Sequence, residues 1–125
     1  PWMAEAADAG FGSTEPWLPV GAENAARAVD AQEGDPASLL HHTRQMLALR
    51  KRHPALHHGA VTRCEAQGPV LVLDRDAGCE RIRLVANFGE ETVMLTDEAT
   101  GEILQTVNGA TAAALPAYGA LVVAA

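Results

Sequence analysis

Asp35-Pro36-Ala37-Ser38-Leu39-Leu40, running on through Leu47-Ala48-Leu49-Arg50-Lys51-Arg52-His53-Pro54-Ala55-Leu56, is the stretch whose reading decides the fold. Asp35 suits an N-cap, and Pro36 suits the first helical position, where a missing N–H costs nothing. Leu39 and Met46 lie seven residues apart, as do Leu40 and Leu47, and Leu49 joins them. That spacing lines one side of an α-helix with apolar groups. Arg50, Lys51 and Arg52 bring cations to the negative helix end, and Pro54 stops the run. The pattern predicts one helix over about Ala37–Arg52. Its leucine side needs a surface to lie against.

The sequence on either side of this helix is different in kind. Before it, Gly10, Gly12, Pro16, Pro19 and Gly21 punctuate a loop that carries Trp2, Phe11 and Trp17. Glu23 to Gln32 is alanine-rich and reads as a short helix, ended by Glu33-Gly34-Asp35-Pro36. After it, His57-His58-Gly59 reads as a linker. The pattern then turns to period 2 with β-branched residues. Strands are expected at Ala60–Glu65, Val70–Asp74, Arg81–Asn87, Glu91–Thr96, Gly101–Val107, Ala110–Leu115 and Ala117–Val123, with a hairpin turn at Arg75–Gly78. Strands with turns every 8–12 residues mark a β-sandwich. The fold class is therefore mainly β: an antiparallel sandwich of about seven strands, preceded by a loop and one long helix. A loop, a helix and a sandwich in that order look like the tail of something larger, and the start at Pro1 without Met suggests further chain upstream.

Composition narrows the function. The chain has 125 residues, enough for one domain or for a small domain with a piece of another. Hydrophobic residues make up 48% but aromatics only 4%, so the core is built from Val, Leu and Ala. A formal charge of −7 argues against nucleic acid and against an anionic membrane surface. No apolar run approaches the roughly 20 residues that span a bilayer. Cys64 and Cys79 are too few for a disulfide scaffold. They read as two reduced thiols in a cytoplasmic setting, although their places beside one hairpin leave a cross-strand bridge open.

Several runs resemble the α-amylase superfamily, glycoside hydrolase family 13, and in particular its α-glucosidase and oligo-1,6-glucosidase branch. They are Pro1-Trp2, Asp8-Ala9-Gly10-Phe11, Pro16-Trp17-Leu18-Pro19-Val20 and Val29-Asp30-Ala31-Gln32, followed by the helix itself. Val85-Ala86-Asn87-Phe88-Gly89 and Leu115-Pro116-Ala117-Tyr118-Gly119 are similar to the family's C-terminal sandwich. The chain departs from the family pattern at Met3, where an Asp usually follows the Trp. The resemblance implies that residues 1–58 are the end of an eight-stranded catalytic barrel, with its last helix, and that residues 59–125 are the C-terminal sandwich. It implies retaining hydrolysis of α-glucosidic bonds, which needs a nucleophile and a proton donor about 5–5.5 Å apart. Those carboxylates lie on barrel strands upstream of Pro1, so no catalytic residue is assigned to this chain.

Other constellations are weighed against that reading. The acid pairs Asp74/Asp76, Glu90/Glu91 and Asp97/Glu98 are expected in solvated turns. His53 and His57 have a zinc-like spacing, but Pro54 breaks the helix between them; together with His41, His42 and His58 they read as surface or packing histidines. Trp2, Phe11 and Trp17 either pin the loop or offer faces on which a sugar ring can stack. Neither a cofactor nor a metal is expected. The expected partners are the missing barrel of the same polypeptide, α-glucoside only in the intact enzyme, and a second copy by self-association. The alternative reading is a stand-alone β-sandwich module that binds carbohydrate or another protein.

Overall fold

A computed structural model describes residues 1–6, 8–12 and 18–125. Pro16 and Trp17 lie outside the described residues. Two compact units are present, Pro1–Ala48 and Leu49–Ala125, and their boundary falls inside one helix.

In the first unit, helices α1 (Ala22–Ala25) and α2 (Val29–Glu33) replace the single alanine-rich helix expected over Glu23–Gln32. The long helix α3 runs Leu39–Arg52, two residues shorter at its start than expected. Asp35 and Pro36 do not cap it. The Asp35 carboxylate instead accepts the Ala37 N–H at 2.9 Å, which closes a turn ahead of the helix. Ser38 takes the capping place: its carbonyl accepts the His42 N–H at 3.0 Å, and its hydroxyl faces the His41 N–H at 3.4 Å. The Gln32 side chain accepts the Leu40 N–H at 3.0 Å, so a second orphan donor of the first turn is met from α2. Along α3 only Leu49 is buried; Leu39 is 73% exposed and Leu47 55%.

The second unit holds the sheets. A helix α4 (Pro54–His58) begins at the proline expected to stop the run and takes in His57 and His58 of the expected linker, with Gly59 at its end. Both ends of α4 are held by charge of the sign its dipole favours. At the start, Glu80 accepts the Ala55 N–H at 3.0 Å and the His53 ring N–H at 2.6 Å. At the end, the Arg75 guanidinium donates to the Leu56 carbonyl at 3.0 Å and the Gly59 carbonyl at 2.7 Å. Gly59 admits no side chain, because a Cβ there would stand 2.5 Å from the Ala55 carbonyl oxygen.

Seven strands follow: β1 (Ala60–Gln67), β2 (Val70–Asp76), β3 (Arg81–Asn87), β4 (Val93–Met94), β5 (Glu102–Val107), β6 (Ala114–Leu115) and β7 (Ala120–Ala124). They form an antiparallel five-stranded sheet, β1-β2-β3-β7-β5, and a two-stranded ladder, β4-β6. The mainly β architecture is as expected. The strands at 91–96 and 110–115 shrink to two residues each, because only Val93–Leu115 and Met94–Ala114 pair and Thr111 turns back onto Ala114. Arg75 and Asp76, expected in a turn, extend β2 against Ile82 and Arg81. The turn itself is Ala77–Glu80, closed by the Ala77 N–H to the Glu80 carbonyl at 2.9 Å.

Alternation sorts the large sheet into two faces. Val70, Val72, Val85 and Leu121 point to one face, where they form a core with Ala110 and Leu115, closed over by Val93, Leu95 and Ala99. Val72, Val85 and Leu121 are 0% exposed. Leu71, Leu73 and Leu84 point to the other face and are only half-buried. Asn87 ties the loops at one end of the core. Its amide donates to the carbonyls of Glu91 at 2.8 Å and Pro116 at 3.0 Å, and its oxygen accepts the Gly89 N–H at 2.9 Å.

The buried charge pair of this unit is Asp74–Arg83, opposite each other on β2 and β3 at 2.6 and 2.8 Å. Arg83 holds the Asp74 carboxyl below its ordinary 3.8. A depressed value stabilises the folded state above that pH and ceases to do so as pH falls through the lowered value. Replacing Asp74 by Ala leaves Arg83 without its partner and should cost about 3 kcal/mol in urea unfolding at pH 7. The wild-type curve should lose stability on acidification below pH 3.8, and the variant's curve should lose less there.

Candidate functional site

The first unit presents the one group of exposed aromatics that sequence reasoning linked to sugar. Trp2 is 59% exposed, Phe11 64% and Met3 53%. Their backbone is fixed although their side chains face water. The carbonyls of Pro1 and Trp2 accept the N–H groups of Val29 and Asp30 at 3.0 and 3.1 Å. The Asp30 carboxylate returns the contact by accepting the Ala4 N–H at 3.0 Å. The strand-like start of the loop therefore sits on the first turn of α2.

The rest of the loop folds back on this anchor. Ala9, 3% exposed, offers its carbonyl to the N–H groups of Trp2 at 2.8 Å and Met3 at 3.2 Å. Ala9 and Gly10 both take positive φ, 54° and 78°. Asp8 pins the reversal by accepting the N–H groups of Gly10 and Gly12, each at 3.0 Å. A Cβ on Gly10 would lie 3.0 Å from the Trp2 Cβ. Glycine is thus required there by conformation and by space. The loop holds Trp2 and Phe11 on either side of a fixed turn, an arrangement that can offer apolar faces to a pyranose ring.

The acidic groups of the second unit are engaged in local ion pairs and backbone hydrogen bonds. Asp74, expected in a solvated turn, is 5% exposed and paired with Arg83. Period 2 continues past Val72 into the Asp74–Arg83 pair, and that continuation was the signal available in the sequence. Asp76 accepts the Gly78 N–H and binds Arg81, and both lower its carboxyl. Glu80 is lowered by the His53 ring and the Ala55 N–H, and Glu98 by its own backbone N–H and that of Asp97. All four shifts are downward. Glu90 and Glu91 are exposed, as expected.

The remaining expected residues are placed as follows. His53 is committed to Glu80, the ring of His41 meets the Glu33 carbonyl at 3.1 Å, and His57 and His58 stand edge to face at the surface. Cys64 lies opposite Leu73 on β1, Cys79 lies in the β2–β3 turn, and both are free and exposed. A cavity of 130 Å³ opens between Gln67, Val70, Val93 and Glu98. It is smaller than the roughly 300 Å³ at which small-molecule pockets begin. No described helix is long and apolar enough to cross a membrane.

Comparison with known proteins now decides the family. Residues 1–59 match the family model described as alpha amylase, catalytic domain. A probable alpha-glucosidase of Rhizobium meliloti is 41% identical over 102 residues, covering 82% of this chain and 18% of that protein. The chain belongs to the α-amylase superfamily, glycoside hydrolase family 13. An oligo-1,6-glucosidase of Parageobacillus thermoglucosidasius is 30% identical over 86 residues, 68% of this chain and 15% of its own length. Among solved structures, the trehalulose synthase MutB of Pseudomonas mesoacidophila MX-45 matches with a TM-score of 0.82 and 26% identity. It covers 98% of this chain and 24% of that one. The isomaltulose synthase of Klebsiella sp. LX3 gives the same values. This α-amylase-superfamily chain therefore spans about a fifth of the length of the relatives it matches.

In this α-amylase-superfamily chain the Trp2 loop lies inside the segment that matches the catalytic-domain model. Replacing Gly10 by Ala should disturb the loop and cost about 1 kcal/mol from its positive φ alone. The Trp2 Cβ stands close enough to add to that. Urea unfolding followed by tryptophan emission would read it, and an unchanged midpoint would show that the turn is not constrained as described.

Proposed function

We propose that this chain is the structural tail of a longer enzyme that acts on α-glucosidic bonds, and that it carries no catalytic carboxylate itself. Residues 1–58 complete the catalytic barrel, and residues 59–125 form a sandwich that covers barrel surface and stabilises it. The observation that carries this reading is the contrast between the two faces of the five-stranded sheet. One face is closed to 0% exposure at Val72 and Val85, while on the other Ile82 and Val122 are buried but Leu71, Leu73 and Leu84 are only half-buried. Burying such side chains fully is worth roughly 1.5–3 kcal/mol each, so leucines left half-buried favour a partner. Leu39 and Leu47 on α3 make the same demand in the first unit.

Three further observations support it. The match to the catalytic-domain model stops at residue 59, where α4 ends and β1 is about to begin. The relatives are several times longer than this chain. Among the described residues every carboxylate with a shifted pKa is lowered. The partner in this reading is the barrel of the same polypeptide, with an α-glucoside bound only by the whole enzyme, next to the Trp2 and Phe11 loop. The setting is cytoplasmic, which suits two free thiols.

The purified chain should release no nitrophenol from a nitrophenyl α-glucoside above the buffer rate, at any pH between 4 and 8. Turnover that follows the folded chain through purification, and disappears when it is unfolded, would overturn the proposal.

A further inference from the structure

Among the described residues, strand β1 is an edge of the large sheet and is bonded on one side only, to β2. Seven of its eight residues are exposed, Arg63 alone being half-buried, and Val61 is 58% exposed. An open edge is a template for a further strand, and proteins blunt such edges with charged side chains, proline or a bulge that twists the edge away. The opposite edge, β5, has its irregularity in mid-strand, between Ile103 and Gln105. In β1 the irregularity lies at the start, between Val61 and Arg63, and Arg63–Gln67 runs in unbroken register along Asp74–Val70.

The charges on β1 are also not of one sign. Arg63 and Glu65 flank Cys64 symmetrically and already meet at 2.8 Å along the same strand. We propose that β1 is a pairing edge for a second copy of this chain, antiparallel about a two-fold axis at Cys64. In that register Arg63 faces Glu65 of the second copy and Glu65 faces Arg63 of the second copy. Thr62 faces Ala66, and the two Cys64 residues stand opposite each other. Both charge pairs are complementary, and directly opposed unlike charges stabilise a strand pair where like charges destabilise it. Two-fold symmetry makes each contact count twice. A shift of one residue sets both charges against neutral neighbours, and moving the axis by one residue opposes Arg63 to Arg63 or Glu65 to Glu65, so the charge pattern selects the Cys64 axis. Directly opposed residues of an antiparallel pair have Cα atoms about 4.5–5.5 Å apart. That lies within the range a disulfide needs, so the pairing can be trapped.

The test uses the whole chain with Cys79→Ser, leaving Cys64 as its thiol, and with Cys64→Ser as the matched control. Oxidised glutathione is the probe: two Cys64 thiols give up two protons and two electrons to form one disulfide, and glutathione disulfide is reduced to two thiols. The Cys64 chain should form a covalent dimer roughly tenfold faster than the Cys79 chain, on non-reducing electrophoresis, since a factor of ten corresponds to about 1.4 kcal/mol of association. Arg63→Glu, added to the Cys64 chain, should remove most of that advantage, because both charge pairs become repulsive. The double swap Arg63→Glu with Glu65→Arg should restore it, and it keeps the pair within each strand, so loss of fold is controlled by circular dichroism on the same samples. Equal rates for the two thiols, indifference to Arg63→Glu, or failure of the folded double swap to recover would each overturn the proposed edge.

Discussion

A sheet has two faces, and each one that carries leucine and valine must be closed against something. That constraint governs the second unit. Strand β3 is its spine, paired with β2 on one side and β7 on the other. From it Val85 enters the closed core, Arg83 holds Asp74, and Asn87 gathers the loops around Leu115 and Pro116. The short β4–β6 ladder is enough to seal that face, with Leu115 at 0% exposure. The other face receives α4 near Arg75 and Ile82, and its middle row of leucines stays half-open. Helix α4 matters here beyond its five residues, because Glu80 and Arg75 hold its two ends by backbone groups that would otherwise be orphaned.

The first unit obeys a different constraint, the satisfaction of backbone donors in a loop with little core. Asp8, Asp30 and the Ala9 carbonyl account for the N–H groups of Trp2, Met3, Ala4, Gly10 and Gly12. The aromatic side chains contribute little to this framework, which leaves them free to face outward. The departure at Met3 from the family's usual Asp therefore alters what the loop presents and leaves its scaffold intact, since the Met3 N–H is met by a backbone carbonyl.

Much of the architecture was legible from local pattern. The period of Leu39, Leu40, Met46 and Leu47 gave the long helix, and β-branched alternation gave all seven strands, because both signals are carried by neighbours in sequence. What local pattern missed were groups whose partners are distant. Asp35 has the residue type of a cap but spends its carboxylate on Ala37, while the caps that hold α3 come from Ser38 and from Gln32 on another helix. Helix α4 hid behind Pro54, which starts a helix as readily as it ends one, and its Glu80 cap is 25 residues away from Ala55. Asp74 looked like a turn acid because only its cross-strand neighbour Arg83 makes it a buried one. The loop aromatics were legible as residues, whereas the turn that fixes them, with Ala9 at positive φ, was not.

The half-open leucine face is most directly tested by binding of an apolar dye to the folded chain. Anilinonaphthalene sulfonate should brighten and shift to the blue on native protein, and replacing Leu71, Leu73 and Leu84 together by Ser should abolish most of that signal while the near-ultraviolet circular dichroism is kept. A native chain that leaves the dye dark would contradict the open face and, with it, the need for a covering partner.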